Sequence, residues 1–451
     1  MNVLIIGSGG REHALAWKIS QSQEVKKIFI APGNGGTHLK NNIENINLTD
    51  IEDLINFAIK QKIDLTVVGP EAPLANGIVD SFKDNNLTIF GPTKAAAQLE
   101  SSKEFSKEFM ARHNIPTAKF ATFENSLSAH EYINNNPAPI VIKADGLASG
   151  KGVVVAMTDK DAHDAVDAML SDKLFGNAGT KIIIEEFLVG EEASFIVICD
   201  GSTILPLDSS QDHKRLLDND AGPNTGGMGA YSPAPLVTDE INQKIMDQVI
   251  TPTIEGMKKE GIEFSGFLYA GIIVDAESNI KTLEFNCRMG DPETQPILFR
   301  MQGDLFSVLY KAAKQQLHGI EIKWEDEHAI TIVMACKNYP TKPILGNEIE
   351  LPDTKDKNTF IFHAGTVLKN QKLLTSGGRV LGITAKGETL EIAKNKAYSV
   401  LKKVKFDGAQ FRTDIGKKAL NSSCEKFKVK KIYYKWGSSC LPYRILFWVR
   451  L

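Results

Sequence analysis

The first hundred residues constrain the fold more than any other stretch, because short apolar runs alternate there with amphipathic segments. The strand-like runs are residues 3–6, 27–31, 65–69 and 88–91, and the helical segments are residues 11–20 and 51–61. Alternation of this kind predicts a parallel sheet with helices on both faces. The first run ends in Gly7-Ser8-Gly9-Gly10, a strand-to-helix turn whose amides are expected to attract an anion.

A dinucleotide is the first alternative as a ligand for such a turn. The GxGxxG fingerprint needs a third glycine where this chain has Glu12. The second strand-like run continues into Pro32 and Gly33 without the acidic residue that the fingerprint also requires. We therefore favour a phosphorylated small substrate over NAD or FAD, while a tight turn that binds nothing stays open.

A second glycine-rich turn lies between two apolar runs. It contains Lys143 and Lys151, and its glycines are Gly146, Gly150 and Gly152. Glycines let the backbone take positive φ and bring N–H groups close to a ligand. Amides and ammonium groups at the tip of a hairpin are suited to holding polyphosphate. The alternative is a mobile surface hairpin that binds nothing.

A candidate metal site lies on the second strand of another predicted hairpin. Glu284 and Asn286 are two residues apart, so both side chains leave the same face of that strand. Carboxylate and carboxamide oxygens are hard ligands that suit Mg²⁺ completed by phosphate oxygens and water. Leu283 and Phe285 are expected on the opposite face, and Arg288 follows closely. An exposed polar strand face is the alternative.

Other segments are expected to form a substrate loop, a helix, a strand and a further domain. The polar, glycine-rich residues 210–231 predict an ordered substrate loop, because long loops in compact proteins are usually functional or disordered. A helix is expected over residues 161–170 and a strand over residues 196–199. From about residue 326 the pattern changes to mixed α+β, which indicates a further domain.

Length, charge and cysteine usage exclude several classes of protein. A chain of 451 residues implies about three domains, and a net charge of -3 gives no overall attraction to nucleic acid or membrane. Five scattered cysteines without a CxxC pair suit a reducing compartment, and we expect Cys199 and Cys287 to be buried packing residues. The N-terminus lacks a basic region, and no long apolar run occurs. These features predict a cytoplasmic protein.

Several stretches together resemble the ATP-grasp superfamily and, within it, the phosphoribosylamine–glycine ligase family. The stretches occur in the family's order from residue 1 to about residue 420. They are residues 6–15, 68–74, 143–152, 211–215, 222–231, 284–288 and 290–295. No single motif carries the resemblance, but the ordered set is specific.

The resemblance implies a multidomain α/β and α+β fold. It consists of an N-terminal parallel-sheet, Rossmann-like domain (1–100), a central ATP-grasp domain (101–325) with a small lid subdomain (about 117–192), and a C-terminal mixed α+β domain (326–420). Residues 421–451 fall outside the family pattern and are rich in lysine and aromatic residues. We expect this tail to be a non-functional extension, with a membrane-surface or nucleic-acid patch as the alternative.

The resemblance also implies the reaction and its partners. ATP would phosphorylate the carboxylate of glycine, and the amine of 5-phosphoribosylamine would then displace phosphate, giving glycinamide ribonucleotide for purine biosynthesis. The implied cofactors are ATP and Mg²⁺ or Mn²⁺. No nucleic acid or membrane partner is expected, and the chain is expected to be a monomer or a weak homodimer.

The site residues that the resemblance implies fall into three groups. The contacts to ATP would be Lys103, Lys143, Asp145, Gly146, Ser149, Gly150, Lys151, Gly152, Glu185, Glu186, Phe187, Leu188 and Glu192. The metal ligands would be Glu284 and Asn286. The contacts to the other substrates would be Gly9, Gly10, Arg11, Glu71, Asp212, Lys214, Thr225, Gly226, Gly227, Met228 and Arg288. Direct roles in the chemistry are expected for Lys143, Asp212 and Arg288.

Two other functions stay open from the sequence. One is a carboxylase or amide ligase that takes a different acid or amine. The other is a binding or regulatory protein that retains affinity for ATP without turnover. The presence of Lys143, Glu284, Asn286 and Arg288 favours an enzyme.

Overall fold

The computed structural model describes residues 1–37, 42–146, 152–171, 181–353 and 356–420. The predicted site residues Ser149, Gly150 and Lys151 lie outside these ranges, and so does the predicted tail. Within the described ranges, no helix is long and apolar enough to cross a membrane.

The N-terminal region is a parallel sheet with flanking helices, as the alternating pattern predicts. Its strands are β1 (Asn2–Gly7), β2 (Lys27–Pro32), β3 (Ile43–Asn45), β4 (Leu65–Val68) and β5 (Ile89–Phe90). Its helices are α1 (Gly10–Ile19), α2 (Ile51–Gln61), α3 (Glu71–Ala75), α4 (Ile78–Asp84) and α5 (Gln98–Ser101). The strand order is β3-β2-β1-β4-β5, and every pair is parallel. Val3, Leu4 and Ile5 are fully buried, as expected for a strand covered on both faces.

A small sheet with two helices lies in the region predicted as a lid and is called the lid sheet below. Helix α6 (Lys103–Arg112) precedes it, and its elements are β6 (Phe120–Phe123), α7 (Ser126–Asn135), β7 (Ile140–Ala144), β8 (Val153–Ala156), α8 (Asp159–Val166) and β9 (Ile182–Glu186). The strands pair antiparallel in the order β6-β9-β7-β8. The helix predicted over residues 161–170 is α8, which begins at Asp159. It begins earlier than expected because the Thr158 side chain accepts a hydrogen bond from the Asp161 N–H and caps the helix. Ile142 and Ile184 belong to a separate apolar cluster, so this region packs around a core of its own.

The middle of the chain supplies a further antiparallel sheet, called the central sheet below. The elements are β10 (Glu191–Asp200), β11 (Ile204–Pro206), β12 (Gln211–Asp212), β13 (Arg215–Leu217), β14 (Ala221–Asn224), β15 (Gly229–Ser232), α9 (Asp239–Ile245), α10 (Thr251–Lys259), β16 (Ser265–Val274) and β17 (Ile280–Asn286). The sheet order is β11-β10-β16-β17. The strand predicted at residues 196–199 begins at Glu191, which places Glu192 on it. Phe82, Phe195 and Phe285 belong to one apolar cluster, so this sheet and the N-terminal region share a core.

The C-terminal region contains a sheet that borrows two strands from the preceding segment. The remaining elements are α11 (Thr294–Arg300), β18 (Met301–Gln302), α12 (Leu305–Ala313), β19 (Lys323–Trp324), β20 (His328–Ala335), β21 (Thr359–His363), β22 (Thr366–Lys369), β23 (Lys372–Thr375), β24 (Arg379–Gly387) and α13 (Leu390–Leu401). The main sheet has the order β12-β15-β20-β24-β21. Helix α13 packs against β20 and β24 of this sheet.

Residues 210–231, predicted to be an ordered substrate loop, contain four short strands, so the expectation of a loop throughout is wrong. Ala230 and Tyr231 are fully buried and pair with Thr331 and Ile330. These partners lie about a hundred residues further along the chain, so a local pattern does not reveal them. The expectation for the cysteines is confirmed, since Cys199 and Cys287 are buried.

Candidate active site

One large cleft, of about 850 Å³, lies between the lid sheet and the central sheet. Most of the predicted site residues line it. They are Arg11, Glu71, Lys103, Lys143, Gly146, Gly152, Glu185, Glu186, Phe187, Leu188, Glu192, Asp212, Lys214, Thr225, Gly226, Glu284, Asn286 and Arg288. The fold thus brings together side chains from segments that are far apart in the sequence.

Five predicted residues in the described ranges do not line this cleft: Gly9, Gly10, Asp145, Gly227 and Met228. The carboxylate of Asp145 instead accepts hydrogen bonds from the backbone N–H groups of Lys103, at 2.6 Å, and of the next residue. Asp145 therefore stabilises the start of α6. Met228 is fully buried, and its backbone N–H and carbonyl pair with the His213 carbonyl and the Val333 N–H.

Three lysines at the lid side of the cleft are held by specific partners. Lys143 on β7 lies 2.9 Å from the carboxylate of Glu185 on β9, and Lys107 lies 3.4 Å from the same carboxylate. Lys103, at the start of α6, donates a hydrogen bond of 2.8 Å to the carbonyl of Gly146. Burial lowers the pKa of Lys107 to about 8, against the opposing effect of Glu185. Each cation is thus fixed at the wall of the cleft.

The predicted metal pair lies on β17, next to this wall, where the Lys143 Nζ donates a hydrogen bond of 3.3 Å to the Leu283 carbonyl. Glu284 pairs with Gly271 and Asn286 with Tyr269 of β16, and both side chains line the cleft. Leu283 is the extra residue of a bulge in this pairing and also lines the cleft. The expectation that Leu283 faces away is therefore wrong, because the bulge interrupts the alternation of the strand.

The charge around Glu284 suits a cation and phosphates. Burial raises the pKa of Glu284, but Lys214, Lys143 and Lys103 outweigh this effect and the net shift is downward. Glu284 is therefore an anion at neutral pH. Among the described residues, no cluster of three or more His, Cys, Asp or Glu side chains could hold a metal. A divalent ion on this pair therefore needs further ligands from phosphate oxygens or water, which fits a metal–nucleotide complex.

Arg288 sits at the end of β17 between two carboxylates. Its Nε lies 3.2 Å from Glu71 at the start of α3, and its Nη2 lies 2.9 Å from Glu100 in α5. Nη2 also donates a hydrogen bond of 3.2 Å to the Oδ1 atom of Asn286. Glu100 lines the cleft, but the sequence contains no local signal for it.

A polar network surrounds Asp212 on β12. Lys214 lies 3.1 Å from the Asp212 carboxylate. Glu293 accepts hydrogen bonds from the hydroxyls of Ser194, at 3.0 Å, and of Tyr269, at 3.1 Å. Burial, reinforced by Asp212, raises the pKa of Glu293. Glu293 belongs to a stretch that carries the family resemblance, yet the sequence assigns it no role.

The turn after β1 differs from the expected anion site. The Gly9 N–H donates a hydrogen bond of 2.5 Å to the carboxylate of Glu12, which reaches back over the start of α1. The other oxygen of Glu12 accepts a hydrogen bond from the Nε of Arg11, at 2.6 Å. A side chain of this chain thus already accepts from the Gly9 amide, and binding of an external anion at this turn stays a prediction. Glu12 is also the residue that breaks the dinucleotide fingerprint.

Arg379 on β24 connects the C-terminal region to the cleft. Its Nη1 donates a hydrogen bond of 2.6 Å to the carbonyl of Gly226, and its Nη2 lies 3.3 Å from the carboxylate of Asp291. Arg379 thus fixes the glycine-rich loop before β15. Sequence reasoning missed it, although it follows two glycines that mark a turn.

A nucleotide-sized cleft between a small antiparallel lid and a second antiparallel sheet, lined by paired lysines and by hard oxygen ligands, defines an enzyme of the ATP-grasp class. Residues 1–100, 101–294 and 329–418 match, in turn, the N domain, the ATP-grasp (A) domain and the C domain of phosphoribosylglycinamide synthetase. The chain belongs to the phosphoribosylglycinamide synthetase family. The predicted fold class, family and class of enzyme, an ATP-dependent carboxylate–amine ligase, are confirmed.

Curated relatives and solved structures agree with this assignment. The chain is 56% identical over 420 residues to a phosphoribosylamine–glycine ligase of Ralstonia nicotianae, covering 93% of this chain and 100% of the relative. It is 55% identical over 423 residues to that of Neisseria meningitidis serogroup A, with coverage of 93% and 100%. The crystal structure of phosphoribosylamine–glycine ligase from Thermotoga maritima is 34% identical, with a TM-score of 0.79 and coverage of 92% and 100%. A biotin carboxylase from Campylobacter jejuni, 17% identical with a TM-score of 0.70 and coverage of 91% and 92%, shares the fold.

Proposed function

We propose that the chain uses ATP to join glycine to 5-phosphoribosylamine, giving glycinamide ribonucleotide, ADP and phosphate for purine biosynthesis. The observation that carries this proposal is the convergence of Lys143, Glu284 and Arg288 in one cleft. Together these side chains supply a cation for phosphate, a hard oxygen ligand for a metal and a guanidinium for a second anion. Identities above 50% to phosphoribosylamine–glycine ligases over nearly the whole chain support the choice of substrates.

The chemistry explains why such a cleft is needed. A carboxylate is a poor electrophile, because its charge is delocalised and it lacks a good leaving group. Attack of a glycine oxygen on the γ-phosphorus of ATP gives glycyl phosphate and ADP. The amine of 5-phosphoribosylamine then attacks the carbonyl carbon, loses a proton and expels phosphate. The protein therefore has to position the reactants and neutralise charge on the transferred group.

The nucleotide is assigned to the lid side of the cleft. Lys103 and Lys143 bind the phosphates, with Glu185 holding Lys143. The backbone of Glu186 and Leu188 and the side chain of Phe187 surround the adenine. Glu192, at the exposed start of β10, accepts from the ribose hydroxyls. These assignments rest on the lining of the cleft and on the family resemblance.

The metal is assigned to Glu284 and Asn286. Either Mg²⁺ or Mn²⁺ matches their oxygen ligands, and a bound ion neutralises charge on the phosphates. The lowered pKa of Glu284 keeps its carboxylate ionised for this purpose. Lys103 and Lys143, both close enough to affect that pKa, add positive charge on the other side of the same phosphates.

The other two substrates are assigned to the end of the cleft that Arg288 occupies. Arg288 binds the glycine carboxylate or the acyl phosphate, and Asp212 binds the glycine ammonium group. The amine substrate lies towards Arg11 and Glu71, next to the Gly9-Gly10 turn. Lys214, Thr225 and Gly226 complete this end, with Arg379 holding the loop in place.

The proposal is tested by incubating the purified protein with ATP, Mg²⁺, 5-phosphoribosylamine and single amino acids. We expect release of ADP to require glycine, and mass spectrometry to detect glycinamide ribonucleotide. Release of ADP that ignores glycine contradicts the assignment. Replacing Lys143 with methionine is expected to abolish turnover. The matched control is Lys160→Met, which removes an exposed lysine of the same lid region.

The compartment and the oligomeric state of the protein are also proposed. We infer a cytoplasmic monomer or weak homodimer. The three described free cysteines are all buried thiols, which suits a reducing compartment. Light scattering during size-exclusion chromatography distinguishes the assembly states, and a stable tetramer contradicts this part of the proposal.

A further inference from the structure

Glu100 is a buried carboxylate that contacts the chain at two points beside the cleft. One oxygen lies 2.9 Å from the Nη2 atom of Arg288. The other oxygen accepts a hydrogen bond of 2.7 Å from the backbone N–H of Cys287. Only 7% of the Glu100 side chain is exposed. One carboxylate in α5 thus fixes both the backbone at the end of β17 and the guanidinium that follows.

Arg288 has a second carboxylate partner of a different kind. Glu71 contacts the Nε edge of the guanidinium at 3.2 Å, and 30% of its side chain is exposed to the cleft. The guanidinium is planar, and its donors are arranged in a rigid fork. Holding the Nη2 corner against Glu100 therefore sets the direction in which the other donors point. An incoming anion can displace Glu71 from the guanidinium more easily than Glu100. Glu71 is partly exposed, so its displacement does not leave a buried carboxylate without a partner.

The same corner of Arg288 is linked to the predicted metal ligand. Nη2 donates to the Oδ1 atom of Asn286 at 3.2 Å, in addition to its contact with Glu100. A displaced guanidinium would therefore also change the orientation of the carboxamide. Glu100, Arg288 and Asn286 thus form a continuous chain of contacts from α5 to the predicted metal ligand.

We propose that Glu100 is a positioning residue for the ligation, which holds the guanidinium of Arg288 at the reacting end of the cleft while Glu71 acts as the exchangeable partner. This inference rests on the proposed function, because Arg288 is assigned there to the glycyl group. In this proposal Glu100 acts through Arg288. Its carboxylate is needed because a neutral side chain leaves Glu71 as the only ionic partner of Arg288.

The distinguishing variant is Glu100→Gln. The amide retains an oxygen that can accept from the Cys287 N–H, but it loses the negative charge that attracts Arg288. We expect kcat to fall on the order of 10- to 100-fold, as for a misplaced binding group, with little change in the KM for ATP. The matched control is Glu260→Gln, because Glu260 also pairs with an arginine, Arg112 at 3.0 Å, but does not line the cleft. This control is expected to retain the wild-type kcat.

A double-mutant cycle separates positioning from a purely structural role. If Glu100 acts through Arg288, Glu100→Gln lowers kcat in the wild-type protein but hardly changes it in an Arg288→Lys background. A loss of equal size in both backgrounds overturns the inference, and so does a lowered thermal midpoint with an unchanged kcat. Affinity for an ATP analogue with Mg²⁺, measured by calorimetry, should be unchanged in Glu100→Gln.

A second variant keeps the test valid if Glu100→Gln does not fold. Glu100→Asp preserves the charge but is too short to reach both Arg288 and the Cys287 N–H, so its kcat should also fall. A wild-type kcat for Glu100→Asp overturns the inference. If the wild-type protein forms no glycinamide ribonucleotide, the proposed function fails. An active wild-type protein without coupling between the two residues refutes only the role of Glu100.

Discussion

Lys143 and Glu185 form an ion pair of 2.9 Å between two neighbouring strands of the lid sheet, β7 and β9. Glu185 is only 3% exposed and also lies 3.4 Å from Lys107. One buried carboxylate therefore balances two lysines at the wall of the cleft. This arrangement fixes Lys143 before any phosphate arrives and leaves the wall with a net positive charge.

Removing this carboxylate is expected to destabilise the lid and weaken nucleotide binding. Glu185→Gln leaves two buried lysines without their anion, and breaking such a pair typically costs about 3 kcal/mol. We expect a lower thermal midpoint and a higher KM for ATP. Glu124→Gln is the control, because Glu124 is an exposed lid carboxylate paired with Lys181. An unchanged midpoint and KM for Glu185→Gln would show that the pair is unimportant.

Glu284→Ala is expected to remove nearly all turnover while leaving the fold intact. The variant loses the anion that three lysines and the proposed metal site share, and a lost contact of this kind lowers kcat on the order of 10³-fold. Release of ADP measures the effect, and circular dichroism checks the fold. Glu277→Ala, in the exposed turn that joins β16 and β17, should behave as the wild type. Near-normal turnover of Glu284→Ala is incompatible with the metal role.

Asp212→Asn tests the assignment of the glycine ammonium group. The substitution keeps the size of the side chain but removes the charge that faces Lys214. We expect the KM for glycine to rise at least about tenfold, since a charged hydrogen bond contributes more than about 1.4 kcal/mol, while the KM for ATP changes little. Steady-state kinetics with each substrate varied in turn provides the measurement. Equal changes in both constants point instead to a general disturbance of the cleft.

His213 predicts a loss of stability in mild acid. Burial, reinforced by Arg412, lowers the pKa of this histidine to about 4 in the folded protein, against about 6.5 when unfolded. Between these values the unfolded chain binds more protons, so stability falls as the pH decreases. The expected loss from this group between pH 7 and pH 5 is about 2 kcal/mol. Urea unfolding at the two pH values measures it.

The His213→Gln variant should show a smaller dependence on pH than the wild type. Part of the dependence should persist, because burial also lowers the pKa of His363 to about 4. The variant is expected to be less stable at pH 7, since His213 contacts the Gly229 carbonyl and accepts from the Gly416 N–H. Identical slopes for the variant and the wild type exclude His213 as a source of acid sensitivity.

Local patterns were sufficient for the parts of the fold in which neighbouring residues decide the structure. The helix α2 has the predicted bounds, because its apolar spacing and the cap at Asp50 are both local features. Glu284 and Asn286 share a face because a strand has a period of two. The bulge at Leu283 was not predictable in this way, because it depends on the register with β16.

The missed site residues have a common cause. Glu100 and Arg379 reach the cleft through tertiary packing and lie in no motif, while Glu293 lies in a stretch of the resemblance whose residue types do not identify its role. Glu12 illustrates the reverse case. Its position argued against a dinucleotide, but only the structure shows its carboxylate at the Gly9 amide. The strands β12 and β15 likewise depend on a partner that is distant in sequence.

The most direct test of the central claim follows the oxygen atoms of glycine. The protein is incubated with ATP, Mg²⁺, 5-phosphoribosylamine and glycine labelled with ¹⁸O in its carboxylate, and the phosphate released is analysed by ³¹P NMR. If glycyl phosphate forms, one labelled oxygen per turnover appears in inorganic phosphate and the other remains in the amide product. Product formation with unlabelled phosphate would contradict phosphorylation of the glycine carboxylate.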